Sequence, residues 1–178
     1  MKRPKFNTAQ KIVAALLLII LVLVLCFSCS RPSAAPANGK PDIPADISVT
    51  ADIEYKGKNY QANIVKTVST YTVEMTEPPA LKGLKWSFDG VDTELSYKGI
   101  NVDLGDKSLL SGSISNAIIG SINNATGDSG VKLAASGNTY TLSGRTESGD
   151  YILSVDKSSG EIKKLEIPNI DFSALFKK

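Results

Sequence analysis

The sequence predicts a mainly β protein of the α+β class: a curved antiparallel sheet, or incomplete β-barrel, with one helix packed on its concave face. Apolar and polar residues alternate with a period of two in residues 47–104 and again in residues 131–167. A period of three to four occurs in residues 108–124. Because strand and helix patterns do not alternate along the chain, a parallel sheet is not expected.

The first half is a predicted meander of antiparallel strands. The alternation places strands at residues 47–55, 60–68, 71–76, 85–88, 91–97 and 100–104. Pro78 and Pro79 end the third of these, since proline has no N–H for the ladder. Asp89-Gly90 predicts a hairpin turn, and Gly99 predicts a bulge before the last strand.

The second half begins with the predicted helix. Its apolar face comprises Leu110, Ile114, Ala117, Ile118 and Ile122. Ser108 or Asp106 is the expected N-cap. The opposite face consists of Ser, Asn and Gly, which are weak helix formers, so packing on the sheet must stabilise it. Strands are then predicted near residues 131–135, 140–142, 151–155 and 162–167, with a turn at 156–160 between the last two.

Composition excludes several classes of function. The 178 residues carry a formal charge of +2, and four basic residues (Lys2, Arg3, Lys5 and Lys11) precede the first apolar run. The rest of the chain therefore has no basic excess, which argues against a nucleic-acid partner. Histidine is absent and both cysteines lie near the N-terminus, so Ser-His-Asp and Cys-His catalytic sites are excluded and zinc is disfavoured.

Residues 1–29 are predicted to be a lipoprotein signal peptide. The uncharged run at residues 12–27 would span about 24 Å as a helix, less than the roughly 30 Å core of a bilayer. Leu25-Cys26-Phe27-Ser28-Cys29 resembles the lipobox of bacterial lipoproteins, although Cys26 stands where an aliphatic residue is usual. The resemblance implies a lipid on Cys29 and a location on the extracytoplasmic face of the cell membrane. An uncleaved N-terminal anchor is the alternative.

Two further segments follow the predicted signal. Residues 30–45 contain four prolines among Ala, Ser, Asn and Gly and almost no large apolar side chain, which predicts a tether. Residues 46–178 are predicted to form the β-rich domain.

The domain resembles the LolA-like superfamily of periplasmic carriers and bacterial lipoproteins. The matching stretches are Pro78-Pro-Ala-Leu-Lys-Gly-Leu84, Trp86-Ser-Phe-Asp-Gly90, Leu95-Ser-Tyr-Lys-Gly-Ile100 and Val155-Asp-Lys-Ser-Ser-Gly-Glu-Ile162 with Leu165-Glu-Ile167. The domain looks most similar to small lipid-anchored members from spore-forming Gram-positive bacteria, some of which serve germination. The resemblance implies an incomplete antiparallel barrel around a helical lid, and a role in sporulation, germination or cell-wall processes.

No residue is predicted to be catalytic, to bind a metal or to hold a cofactor. Ser154 and Lys157 have the S-x-x-K spacing of penicillin-interacting enzymes, but the companion motifs are absent. The carboxylate pairs Asp52 with Glu54 and Asp92 with Glu94 lie at the polar positions of alternating strands, which is typical of a solvated sheet face.

Two binding functions remain open. A non-enzymatic envelope lipoprotein would bind another cell-envelope protein or a second copy of itself. The C-terminal segment with Ile170, Phe172, Leu175 and Phe176 would then dock on its own sheet or add to a neighbour's. A lipid or acyl-chain carrier would instead use a cavity between sheet and helix. That cavity would be lined by Trp86, Phe88, Leu95, Tyr97, Leu110, Ile114 and Ile118.

Overall fold

The computed structural model describes residues 35–36, 41–105, 113–127 and 130–178. The predictions for the signal peptide, for Cys29 and for Leu110 therefore lie outside the described residues, as does most of the predicted tether. Within the described ranges, no helix is both long and apolar enough to cross a membrane.

The meander predicted for the first half is confirmed. Each of its strands pairs antiparallel with the next through a short connection, and the 3₁₀ helix Pro79–Leu81 links the third and fourth. Preceded by β1 (Ala35–Pro36), the meander strands are β2 (Ile47–Tyr55), β3 (Lys58–Lys66), β4 (Tyr71–Glu77), β5 (Lys85–Phe88), β6 (Thr93–Tyr97) and β7 (Ile100–Gly105).

The second half contains the helix and the remaining strands. A 3₁₀ helix, Pro168–Ile170, precedes the final strand. The elements are α1 (Ile114–Thr126), β8 (Lys132–Ser136), β9 (Thr139–Thr146), β10 (Gly149–Asp156), β11 (Ile162–Ile167) and β12 (Phe172–Lys177).

All the described strands belong to one open antiparallel sheet in the order β1-β8-β9-β10-β11-β12-β2-β3-β4-β5-β6-β7. The C-terminal strand β12 lies in the interior, paired with β11 on one side and β2 on the other. It therefore joins the meander β2–β7 to the meander β8–β11. The predicted fold class, an open curved sheet with one helix, is confirmed.

The helix packs on the concave face of the sheet, against β9 and β10. Ile118 and Ile122 are fully buried there, as are Leu153 and Val155 of β10. The Tyr151 hydroxyl donates to Asn124 Oδ1 at 2.8 Å. A Cβ on Gly144 would come within 2.7 Å of both that oxygen and the Tyr151 hydroxyl, so only glycine lets helix and strand approach so closely.

The helix begins later than predicted. Its N-cap is Ser113, whose side-chain oxygen accepts a hydrogen bond from the Asn116 N–H at 3.0 Å. The expected caps, Ser108 and Asp106, are therefore wrong. The Asn116 N–H belongs to the first turn and has no acceptor within the helix. A hydroxyl three residues earlier, as in Ser113, is correctly spaced to accept from it.

The bulge predicted at Gly99 is also wrong. Lys98 and Gly99 form a two-residue hairpin loop, and both have positive φ angles, 49° and 82°. This conformation matches the twist of the flanking strands and explains the glycine. The irregularity between β6 and β7 lies instead at the far end of the pair, between Thr93 and Glu94.

The packed domain begins upstream of the predicted boundary at residue 46. Pro41 is buried, and Ile43 packs against the core. A Cβ on Gly160, whose φ is +70°, would lie 1.9 Å from the Asp42 carbonyl oxygen, so this segment crosses directly over the β10–β11 turn. Ala35–Pro36 pairs with β8. Two parts of the predicted tether, residues 35–36 and 41–43, thus pair with or pack against the sheet.

Candidate functional site

An apolar surface extends from the core along β5, β6 and β7. Trp86 lies opposite the fully buried Val73 of β4, and Leu95 and Val102 continue the same row across the next two strands. Tyr97 and Ile100 form the adjacent row. We call Trp86, Leu95, Tyr97, Ile100 and Val102 the β5–β7 face.

The β5–β7 face ends at an open strand edge. β7 is the last strand in the sheet order, so no described strand pairs with its outer side. Ile100 is 68% exposed and Val102 is 46% exposed. Backbone donors and acceptors next to exposed β-branched side chains are the features that a further strand would use.

The main contacts of the helix are with β9 and β10, near the other end of the strand order, and Ser115 at its N-terminal end lies near Tyr71. Tyr97 is held in place by its hydroxyl, which donates to the Ala80 carbonyl of the 3₁₀ helix. The Lys98 ammonium lies 4.9 Å from the centre of the Tyr97 ring. The Tyr97 ring is therefore fixed in orientation, whereas Ile100 and Val102 face solvent.

The space between the helix and the sheet is filled by side chains. Ile118 is fully buried among core residues, and Ile114 is partly buried beside them. Of the residues predicted to line a cavity, Trp86, Leu95 and Tyr97 instead form the β5–β7 face. These residues share one face of the sheet.

A cleft of about 460 Å³ lies beside the helix, between its solvent-facing side and the β3–β4 turn. We call it the helix cleft. Phe88 is the predicted cavity residue that lines it; its other main side chains are Lys66, Thr70, Tyr71, Asn116 and Asn123. The rings of Tyr71 and Phe88 stack with centroids 5.5 Å apart. The cleft thus combines an aromatic wall with amide, hydroxyl and ammonium groups.

Polar groups also lie beneath the aromatic wall. The hydroxyls of Thr93 and Ser115 are buried next to the Tyr71 phenol. Burial raises the pKa of the Tyr71 phenol, and the neighbouring hydroxyls of Thr93 and Ser115 oppose this shift. The phenol remains protonated at neutral pH and can donate a hydrogen bond.

The C-terminal segment predicted as a partner-binding edge is part of the protein's own sheet. Phe172 and Phe176 are buried, and Ile170 packs against the core. The Phe172 ring meets Tyr55 edge-on at 6.0 Å between centroids. Leu175 points to the opposite face and is half exposed. Both sides of β12 are paired, with β11 and with β2. Of the two alternatives that the sequence leaves open, the segment therefore docks on its own sheet and does not add to a neighbour's.

The carboxylate and Ser-Lys patterns do not form a converging site. Asp52 accepts hydrogen bonds from Lys177 and from Gln61, and these bonds lower the pKa of its carboxyl. The Lys157 ammonium donates to the Gly137 carbonyl at 2.9 Å. Among the residues that the structure describes, no cluster of three or more His, Cys, Asp or Glu is placed to hold a metal ion.

Sequence reasoning missed three features of these surfaces: the exposure of Ile100, that of Val102, and the burial of Lys66. Ile100 and Val102 alternate with Asn101 and Asp103 as core-facing residues do, and nothing in that pattern indicates that the helix stops short of them. Lys66 does break the pattern, since it occupies an inward position in the same row as residues 62 and 64. A lysine at an inward position can be seen in the sequence alone, and it indicates a polar site at the end of β3.

Comparisons with known proteins support similarity of fold alone. No family model and no curated protein matches the chain. The structural neighbours include an uncharacterised conserved protein from Thermus thermophilus, with 11% identity, a TM-score of 0.47, and coverage of 74% of this chain and 78% of that one. The LolA superfamily protein NE2245 from Nitrosomonas europaea is 17% identical with a TM-score of 0.42, covering 71% of this chain and 66% of that one.

A third neighbour is the Clostridioides difficile structure of the CwlD amidase in complex with the GerS lipoprotein. It is 14% identical with a TM-score of 0.42, and the match covers 94% of this chain and 89% of that chain. Each of these three matches has a TM-score below 0.5 and a sequence identity below 20%. At these identities, fold does not determine function.

Proposed function

We propose that this chain is a non-enzymatic lipoprotein of the extracytoplasmic membrane face that binds another cell-envelope protein by strand addition at β7. The observation that carries the proposal is that, among the described strands, none pairs with the outer side of β7, beside which Ile100 and Val102 are exposed. An extended segment of the partner would pair with the β7 backbone. Its apolar side chains would cover the β5–β7 face.

The chemistry of strand addition fits this edge. Main-chain hydrogen bonds supply affinity, and pockets for alternate side chains supply specificity. Natural edges are usually protected by proline, inward-pointing charge or short length. At the other end of the sheet, the terminal strand is a two-residue segment that includes Pro36. The six-residue β7 contains no proline and a single charged side chain, Asp103.

A lipid-carrier function is less well supported. Carriers of acyl chains need an apolar cavity of at least several hundred Å³. Here the helix–sheet interface is filled by residues such as Ile118 and Ile122. The helix cleft is large enough at about 460 Å³, but Lys66, Asn116 and Asn123 make much of its wall polar. Protein binding at β7 is therefore the function we propose.

Strand addition predicts a position-specific crosslink. A photo-crosslinking amino acid at Val102, in the full chain in its native membrane, should give a discrete adduct. The same group at Val65 should give none, because Val65 is equally exposed, at 48%, but lies on β3 in the sheet interior. An adduct with another protein supports the proposed partner, and a dimer adduct identifies a second copy at the same edge. Equal labelling from both positions would refute strand addition at β7.

A proline at Asn101 should abolish that crosslink. In an antiparallel ladder, hydrogen-bonded pairs of opposed residues alternate with non-hydrogen-bonded pairs. The pair that flanks the two-residue loop, Tyr97 with Ile100, is a hydrogen-bonded pair. The next residue, Asn101, directs its N–H outward, so Asn101→Pro removes a donor for the partner without breaking the β6–β7 ladder. Asn101→Ser keeps the N–H and should crosslink like the native chain. Undiminished crosslinking in the proline variant would contradict the proposal.

Attachment to the membrane should depend on Cys29 and not on Cys26. The lipobox-like sequence makes Cys29 the acceptor, and acyl chains on it would anchor the chain stably. Metabolic labelling with a fatty acid should be lost in Cys29→Ala and retained in Cys26→Ala. Equal labelling of the two variants would replace the lipoprotein proposal with an uncleaved N-terminal anchor.

A further inference from the structure

Lys66 occupies a position that a core residue normally fills. It is the last residue of β3, in the inward-facing row that contains Ala62 and Ile64, and both of these are fully buried. Lys66 itself is only 9% exposed. Lysine is almost never buried to this extent unless its charge is paired. The position therefore calls for an account of what compensates the ammonium.

The described residues do not supply that compensation. The Lys66 ammonium donates one hydrogen bond, to the Thr67 carbonyl oxygen at 3.0 Å. Within the part of the chain that the structure describes, it forms no ion pair; the lysines that do so are Lys163, Lys164, Lys177 and Lys178. An ammonium has three donors, so two donors and the charge remain available. An anion bound in the cleft could accept from these donors and pair with the charge.

The ammonium lines the helix cleft, whose other walls can also hold a ligand. Asn116 and Asn123 lie on the helix side and offer amide donors and acceptors. Gly120 lies between them, and a Cβ there would come within 3.2 Å of Asn116 Oδ1. The glycine thus leaves room for the Asn116 amide. The stacked rings of Tyr71 and Phe88 add a flat apolar surface.

We propose that the helix cleft binds a carboxylate-bearing ligand. The carboxylate of the ligand would accept a hydrogen bond from the Lys66 ammonium. Other polar groups of the ligand would form hydrogen bonds with Asn116 and Asn123. The ligand's carbon skeleton would lie against Tyr71 and Phe88. A single ammonium matches a single negative charge, and the cleft lacks the arginine fork typical of phosphate sites. Its volume of about 460 Å³ accommodates a sugar acid or an acidic side chain. This site is separate from β7 and does not depend on the function proposed above.

The test is ligand-observed saturation-transfer NMR on the full chain in detergent micelles. One probe is D-glucuronate, with D-glucose as its neutral counterpart. The other is the capped peptide acetyl-Ala-Glu-Ala-amide, with acetyl-Ala-Gln-Ala-amide as its counterpart. We expect at least one carboxylate probe to bind saturably, at least tenfold more tightly than its neutral counterpart. Glucuronate alone would indicate a free sugar acid, and the peptide alone a partner's acidic side chain.

Variants assign the binding to the cleft. Lys66→Met should weaken the binding at least tenfold, whereas Lys58→Met, at the exposed start of the same strand, should leave it unchanged. Asn116→Asp adds a negative charge on the opposite wall and should also weaken it at least tenfold. Circular dichroism melting would verify that each variant is folded; if Lys66→Met is not, Asn116→Asp decides. Absence of saturable binding by both carboxylates, or native affinity in the folded variants, would overturn the proposal.

Discussion

Deleting residues 169–178 is expected to abolish cooperative folding of the domain. The deletion removes β12, which is the only connection between β11 and β2 in the described sheet. Without it the two meanders have unpaired edges in the middle of the structure. It also removes Phe172 and Phe176, and loss of a buried phenylalanine side chain costs about 3–5 kcal/mol. Two such losses match the whole stability of an ordinary domain, about 5–15 kcal/mol.

Thermal unfolding followed by circular dichroism, together with limited proteolysis, would measure this effect in the otherwise full chain. Leu175→Ser is the matched control within the same strand. Leu175 points away from the core and is about half exposed, so its replacement should change stability by less than about 1 kcal/mol. If the truncated chain melted cooperatively near the native temperature, β12 would be a peripheral addition to the sheet and not its central strand.

The contrast between β12 and the rest of the sheet shows what local sequence can predict. Alternation predicts β2 and β4 to within one residue at each end and β3 to within two, because each has one buried and one solvated face. The segment after Pro168 is apolar in sequence, but its place between β11 and β2 depends on pairing between strands that are distant in the chain. Period-two patterning specifies which face of a strand is buried and carries no information about which strand lies beside it.

The candidate sites are predictable to different degrees, because a local pattern shows which face of a strand is buried but not what covers that face. Trp86, Leu95 and Tyr97 lie on one face of the sheet, as the alternation of their strands predicts. The exposure of Ile100 and Val102 depends instead on how far the helix extends across the sheet, which is a tertiary fact. Lys66 is different, because a charged residue in an inward register is a local conflict visible in the sequence. Such conflicts between pattern and residue type are where functional sites are expected.

The attachment of α1 to the sheet holds the second half together, and Ile118→Ala should weaken it strongly. Ile118 is fully buried in the apolar face of a helix whose other positions are largely Ser, Asn and Gly. Such a helix has little stability of its own and depends on packing. Emptying this site should lower the free energy of unfolding by about 2–5 kcal/mol, the range for large-to-small core substitutions.

Asn123→Ala is the control for that measurement, because Asn123 is an exposed residue on the same helix. Alanine has the higher helix propensity, so this change should be neutral or stabilising by about 0.5 kcal/mol. Urea unfolding of both variants in the full chain would give the two free energies with comparable slopes. A cost below about 0.5 kcal/mol for Ile118→Ala, far under the usual range for a core site, would mean that this face of the helix is not part of the core. The filled helix–sheet interface, which is the argument against a lipid cavity, would then fail as well.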